Sequence, residues 1–538
     1  MRPSCLEAKR STSISAARAV QPGARSGGRV SALAGGVLLP FASLILAAPV
    51  AAQTGTQTAT LARALAIQPT ASISQTITDN FLLSATNPAA DAITRITAGV
   101  AMNANAGPVR GFLDYSLSGL IHARHSDRDT VFNSLSTVFA ADLVPGRARL
   151  DVSGNVSRSA ISAFGAQPGL EGGVQNNATE LRRLKVAPSV LGPLVGDLRY
   201  SANLALEATD ARDSVVGDST SATLGMRVEP TTRGRVGWSA DGISLRSAFK
   251  AGRSTSDDRL SATARWRLDR FDTELSASGG IEFSDMTTAS RQRFNNWGLG
   301  ATWTPSPRTS LAAQYDDRFF GPSRRLSLDH RTALTSWHFG KSRNLSTTGG
   351  GGDGAAGGRG TAFDLLFAQF ASVLPDPAKR AEFVNAYLLS QGISSSAAPG
   401  FLRSSVLVQD LEDASVAFRG VRSTAVLAWT RSKSIRLGVQ PGIADDLSVA
   451  SQVNLQGLSV DLSHRLTTQS SLGLLVSRQR GSGITASQDN LQRKLSLRYT
   501  LRPASNIDLN LGLSRTLFDS YPAPFDESSV VFTLGYRF

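Results

Sequence analysis

The sequence predicts an all-β chain, a transmembrane antiparallel β-barrel of about 22 strands, with 18 to 24 as the range, interrupted by one helical-hairpin insert. Three observations carry that prediction. From about Ala71 to Phe538 apolar and polar residues alternate, as in Lys494-Leu495-Ser496-Leu497-Arg498-Tyr499-Thr500-Leu501 and Ile507-Asp508-Leu509-Asn510-Leu511. Successive strand side chains point to opposite faces, so each such segment makes a sheet with one apolar and one polar face. A soluble sandwich also accepts that pattern. The second observation favours the barrel: the chain closes on Val530-Val531-Phe532-Thr533-Leu534-Gly535-Tyr536-Arg537-Phe538, which sets Phe532, Leu534, Tyr536 and Phe538 on one face as a candidate assembly signal. The third is rhythm, tight connections such as Pro305-Ser306-Pro307-Arg308 and Arg502-Pro503-Ala504-Ser505 alternating with longer polar ones.

The first element is a leader, residues 1–52. Arg25 and Arg29 precede an apolar core, Val37-Leu38-Leu39-Pro40-Phe41-Ala42-Ser43-Leu44-Ile45-Leu46, and then Ala47-Ala48-Pro49-Val50-Ala51-Ala52. A cationic flank, a short apolar core and small residues before Ala52 make a secretory signal peptide. The leader holds six cations and one anion, so the formal charge of +14 falls to +9 beyond it. The single cysteine, Cys5, lies in the leader too, which excludes disulfide scaffolds, cysteine zinc sites and thiol nucleophiles from the rest. Residues 53–66 read as an N-terminal periplasmic segment.

Residues 67–344 read as the first part of the barrel and 408–538 as its C-terminal part, with both ends in the periplasm. Arg324–His330 and Leu334–Lys341 are taken as separate short strands. The polar face carries bulky charge, and Arg149, Asp151, Arg265, Arg267, Arg498 and Asn510 are the candidate lumen-lining residues. Between Leu455 and Leu458 the apolar phase slips by one at Gly457, which reads as a bulge.

Residues 345–407 break the period. A glycine-rich hinge at 349–360 leads to Phe363, Leu366, Phe367, Phe370 and Leu374, one apolar helical face stopping at Pro375. Asp376 and Pro377 then open a second helix that Gly392 ends. The pair reads as an extracellular loop packed on the rim, a lid or plug entering the lumen, or a docking helix; Phe363, Phe367 and Phe370 are the candidate gate.

No catalytic constellation emerges. Gly340-Lys341-Ser342 lacks the upstream glycine of a phosphate loop, since position 335 is Thr. His122 and His125 fall on opposite faces if both lie on a strand, as do Asp316 and Asp317. His330, His338 and His464 sit in no recognisable motif. The chain is therefore expected not to be an enzyme, to need no cofactor or metal, and not to bind nucleic acid, its arginines being spread over the whole barrel.

Four features resemble the outer-membrane β-barrel proteins associated with PEP-CTERM/exosortase systems: Ile67-Gln68-Pro69 through Ile77-Thr78-Asp79-Asn80-Phe81; Asp317-Arg318-Phe319-Phe320-Gly321-Pro322-Ser323 with His330-Arg331-Thr332; the insert Phe363-Asp364-Leu365-Leu366-Phe367, Pro375-Asp376-Pro377 and Gln391-Gly392-Ile393; and Tyr536-Arg537-Phe538. The resemblance implies the outer membrane of a Gram-negative bacterium and an association with exopolysaccharide export or surface display. The expected function is a gated conduit, or else a non-conducting structural or adhesin-like barrel that binds a partner through its loops. The partners expected are outer-membrane lipid and lipopolysaccharide, the barrel-assembly machinery, and exopolysaccharide or sorted surface proteins.

Overall fold

The computed structural model describes residues 65–167, 176–232, 234–269, 272–288, 290–349, 384, 400–438, 445–521 and 523–538. Twenty-two strands follow one another around a single sheet. They are β1 (Leu65–Thr78), β2 (Asp91–Ala106), β3 (Val109–His122), β4 (Thr130–Val144), β5 (Ala148–Ala160), β6 (Ala178–Pro193), β7 (Leu198–Ala211) and β8 (Ser219–Pro230). Then come β9 (Val236–Phe249), β10 (Thr255–Leu268), β11 (Thr273–Ser284), β12 (Gln292–Ser306), β13 (Thr309–Arg318), β14 (Gly321–Arg331) and β15 (Thr335–Ser346). The last are β16 (Leu407–Arg419), β17 (Ser423–Arg436), β18 (Gln452–Arg465), β19 (Ser470–Ser482), β20 (Asn490–Ala504), β21 (Ile507–Ser520) and β22 (Phe525–Arg537). A short helix, α1 (Asp446–Val449), lies between β17 and β18.

Every strand pairs antiparallel with its sequence neighbours, and β1 pairs with β22 from Thr70↔Arg537 to Thr78↔Ser529. The sheet is therefore closed and has no edge, which lets a strand-built wall satisfy its backbone in lipid. The short strands expected around 324–341 are β14 and β15.

The alternation in the sequence becomes the two faces of this wall. On β20 Leu495, Leu497 and Tyr499 point outward and are 37–52% exposed, whereas Thr500 on the other face is 5% exposed. Cross-strand register continues the outer face: Leu497 lies opposite Leu513, and Tyr499 opposite Leu511. Near the ends that carry the short turns, Tyr200, Trp238, Trp266, Trp303, Trp337 and Tyr536 stand exposed on the outside. An outward aliphatic band with an aromatic girdle is what a bilayer and its interface select. The chain is an outer-membrane β-barrel.

The two ends differ. Where β1 begins and β22 finishes, all ten connections are two to five residues long, and this is the periplasmic end. Register shifts fall at three of these turns, between Asp142 and Val144, Trp303 and Ser306, and Leu501 and Ala504. Pro305 and Pro503, which cannot donate to a ladder, sit inside two of the shifts. At the opposite end the connections run from two to 60 residues, the longest joining β15 to β16.

One expectation is overturned. Gly457 pairs without interruption with Thr430 on one side and Gln479 on the other, so there is no bulge. The apolar phase slips there because Val453 and Leu455 face inward, buried against a loop cluster, while Leu458 faces out. The helical pair and its Phe363, Phe367 and Phe370 lie outside the described residues, as do the leader and residues 53–64; Val384, which is described, is helical and buried.

Candidate functional site at the extracellular mouth

At the extracellular end the inner faces of several strands turn apolar: Leu181, Ala211, Phe249, Val453, Leu455, Phe518 and Phe525 are all buried there. What covers them is loop. Residues 400–406, the lead-in to β16, run across the mouth with Phe401 2%, Leu402 0%, Arg403 2%, Ser404 0%, Ser405 0% and Val406 1% exposed. The Leu402 amide donates to the carbonyl of Ala160 at the end of β5 at 3.1 Å, and Phe401 forms a parallel bridge with Ala160. β5 and β16 are eleven strands apart in a ring of 22, so this contact joins opposite walls.

Three apolar clusters hold the crossing. Phe401 packs with Ala163, Leu447, Val453 and Leu455; Leu402 with Leu181 and Ala211; and Val406 with Phe249, Met286 and Phe319. Several main-chain groups are paired as well, though Ser405 Oγ is buried without a hydrogen bond among the described residues. The Arg403 amide donates to the Gly349 carbonyl at 3.0 Å, the Ser404 amide to Asp445 Oδ2 at 3.0 Å, and the Leu437 amide to the Val406 carbonyl at 3.0 Å. The Arg403 guanidinium donates to Ser346 Oγ. A buried polar segment persists when most of its groups are paired in this way.

A second loop crosses from β5. Ser162 Oγ donates to Asp446 Oδ1 at 2.8 Å and the Ala163 amide to Asp446 Oδ2 at 2.6 Å, tying the loop to α1. Burial pushes the Asp446 carboxyl up, and these donors oppose the rise. Further on, Asn490 Nδ2 donates to the Ala163 carbonyl at 3.1 Å, and the Gln167 amide to Gln492 Oε1 at 2.9 Å. Ala166 ends against Phe518 and Phe525.

Two of the segments singled out in the sequence serve this end. Arg318 Nε donates to Glu282 Oε1 at 3.0 Å and its NH2 group to Asp257 Oδ2 at 3.0 Å, bringing two buried carboxylates onto one guanidinium. Phe319 and Phe320 form the two-residue turn that follows, and Phe319 reaches Val406 of the crossing segment. Gly321 has φ +90°, which a side chain would strain. Thr78-Asp79-Asn80 fastens the seam between β1 and β22. Thr78 Oγ1 donates to Glu527 Oε1 at 3.1 Å, Asp79 Oδ1 accepts from the Ser528 amide at 2.7 Å, and Asn80 Nδ2 donates to the Asp526 carbonyl at 2.8 Å.

The lumen candidates all lie on the inner face by register. Arg149 grips Asp151 at 2.7 Å, Arg265 reaches Glu229 at 3.4 Å and the buried Ser239 at 3.2 Å, and Thr500 Oγ1 donates to Asn510 Oδ1 at 2.7 Å. Arg267 stands at the periplasmic rim of β10, and Arg498 faces inward between the outward Leu497 and Tyr499. Val530, Phe532, Leu534, Tyr536 and Phe538 share the outer face at 40–71% exposure. Sequence reasoning missed an inner bridge: His338 Nδ1 is 2.7 Å from Asp329 and its Nε2 3.0 Å from Asp413, linking β14, β15 and β16. The only advance signal was three polar residues in one phase. His122 ends β3, so the parity argument does not apply to His125, and both rings pack on Phe81 with centroids 5.5 and 4.3 Å away. No group of three or more metal-ligating side chains occurs among the described residues.

No family model matches this chain, and no curated protein matches it. Solved structures align with most of the chain at low similarity. The FrpB iron transporter from Neisseria meningitidis (F5-1 variant) is 10% identical with a TM-score of 0.46, over 89% of this chain and 83% of that one. The siderophore receptor PirA from Pseudomonas aeruginosa is 11% identical with a TM-score of 0.32, over 87% and 80%. OccAB2 from Acinetobacter baumannii is 9% identical with a TM-score of 0.34, over 88% and 98%. At such distances the likeness transfers no substrate and no mechanism.

Proposed function

We propose that the protein is a gated conduit through the outer membrane, serving export or display of a surface polymer, exopolysaccharide in the first place, in an exosortase-type system. The observation that carries the gating is the buried crossing of residues 400–406, which belongs to the long insert and not to the wall. A ring of 22 strands encloses more space than its own inner side chains fill, so a water-filled or plugged lumen follows from the strand number. The four sequence features that resemble the exosortase-associated barrels support the polymer assignment.

The seal is close to balance. Burying Phe401, Leu402 and Val406 contributes ~1.5–3 kcal/mol each. Ordering seven residues costs ~1–2 kcal/mol apiece, and the hydrogen bonds return ~0.5–1.5 kcal/mol each. A latch of that kind opens without unfolding the wall.

Single-channel conductance of the refolded protein tests the reading, beside a variant in which residues 350–405 are replaced by a short Gly-Ser linker. The expected result is a low or intermittent current from the parent and a large steady one from the variant. Silence from both favours the non-conducting, adhesin-like barrel, for which the tight loop packing is the supporting observation. An exosortase or glycosyltransferase cluster beside the gene supports the polymer; its absence removes that support. The outward Phe532, Leu534, Tyr536 and Phe538 are proposed as the strand read by the barrel-assembly machinery. Replacing Phe538 by Asp should lower the heat-modifiable protein in outer-membrane fractions, and unchanged levels would refute that role.

A further inference from the structure

The outer wall is not uniform above its apolar band. On β14 to β17 the register stacks rows of outward side chains. Leu328, Phe339, Ala414 and Trp429 make one row of the band. The next row toward the mouth is Leu326, Lys341, Glu412 and Arg431, and above it lie Arg324, Arg343, Asp410 and Lys433. Two rows on four strands thus hold five cations and two anions, lining a recess of about 220 Å³.

The anions are already engaged. Lys341 lies 2.8 Å from Glu412, with Arg431 3.9 Å from the same carboxylate, and Arg343 is 2.8 Å from Asp410. Arg324 and Lys433 form no ion pair among the described residues. Arg343 Nε is covered and makes no hydrogen bond. The positions at the same distance from the strand ends on β1 to β4 are Gln75, Thr94, Gly119 and Asn133, with Ile73, Ile96, Leu117 and Leu135 below them. Charge at this height is absent from those four strands and recurs on other walls as ion pairs, Arg246 with Asp258 and Arg493 with Asp519.

We propose that this patch is a docking site for the phosphorylated headgroup of an outer-leaflet glycolipid, lipid A of lipopolysaccharide. The inference rests on the outer-membrane placement of the barrel and is independent of the conduit. The patch faces lipid, not the lumen. It begins one row above Phe339 and Trp429, where headgroups lie, and the excess of three positive charges calls for an anion. Four strands span roughly 15 Å and two rows about 7 Å, the footprint of one headgroup. Phosphate oxygens accept well from guanidinium forks, and Arg324 brings one without an ion-pair partner among the described residues to the upper row. The acyl chains of a lipid bound there continue down over Leu328, Phe339 and Trp429.

The test uses the full barrel in detergent, with R324A, K433A and the double variant set beside R246A, a cation of the same outer belt paired with Asp258. Native mass spectrometry and fluorescence titration follow purified lipid A, the same lipid dephosphorylated, and inorganic phosphate as competitor. Heat-modifiable mobility reports folding. The expected result is one retained lipid A per parent barrel, affinity falling about fivefold for each cation removed, no change in R246A, and weak binding of the dephosphorylated lipid. Equal retention by the folded double variant, or equal affinity for the dephosphorylated lipid, would overturn the site while leaving the membrane placement intact. Full competition by millimolar phosphate would overturn the lipid assignment. A barrel that does not fractionate with the outer membrane would instead remove the placement itself.

Discussion

The two ends of this barrel are built to different rules. At the periplasmic end, ten connections of two to five residues only turn the chain around, and none of the described residues there is buried against a distant strand. At the extracellular end, several strands change the chemistry of their inner faces from polar to apolar, and loops from opposite walls meet in those apolar clusters. The comparison separates two jobs. The wall is held by neighbour-to-neighbour pairing and by lipid, whereas the mouth is held by contacts between parts of the chain that are remote both in sequence and around the ring.

If that division is right, damage to the wall costs folding and damage to the mouth costs closure. The largest effect belongs to the wall. Leu497→Arg or Leu511→Arg puts a charge into the lipid band and should destabilise the barrel by about 2–4 kcal/mol, measured by urea unfolding in lipid, while Arg498→Gln and Asn510→Ala on the inner face should cost less than about 1 kcal/mol. Equal costs on both faces would break the comparison at its base.

The next effect falls at the mouth. Leu402→Asp buries a carboxylate among Leu181 and Ala211, so the crossing should lose roughly 1–3 kcal/mol and release. Raised conductance with unaltered heat-modifiable mobility is the expected pair of readings; a barrel that fails to fold would mean the loops support the wall. Asp446→Ala removes the acceptor for Ser162 and Ala163 and should loosen the second loop by about 1–2 kcal/mol, seen as faster proteolysis near residue 165. The smallest change is expected at the seam. Asn80→Ala deletes the bond to Asp526 and should cost about 1 kcal/mol, with faster hydrogen exchange confined to β1 and β22.

The same division governs what the sequence disclosed. Strand number, phase and the even parity were legible because a wall of neighbouring hairpins writes its faces directly as alternation, and even the short β14 and β15 could be separated. The mouth was not legible, because Leu402 meets Ala160 and Leu181 through a fold that no local pattern encodes. Its one trace was the slip at Gly457, which came from Leu455 turning inward to meet the loops and was mistaken for a bulge. The rule that charge marks the lumen also failed above the lipid band, where Lys341, Arg343 and Arg431 face outward. Alternation says which residues share a face; it does not say how high on the wall that face leaves the lipid.

The crossing segment is also the backbone that becomes β16, joined to it at Leu407 with no hinge between. A pull on the insert from outside the cell is therefore carried as tension along the chain. The bonds at Leu402, Arg403 and Ser404 and the one accepted by Val406 bear load one after another, not together. Fastenings loaded in series part at low force, and the stretch stops where β16 enters the sheet, because there twelve paired positions with β15 share the load side by side. The mouth would open by being drawn out a residue at a time, and it would re-form by the same route once the tension falls.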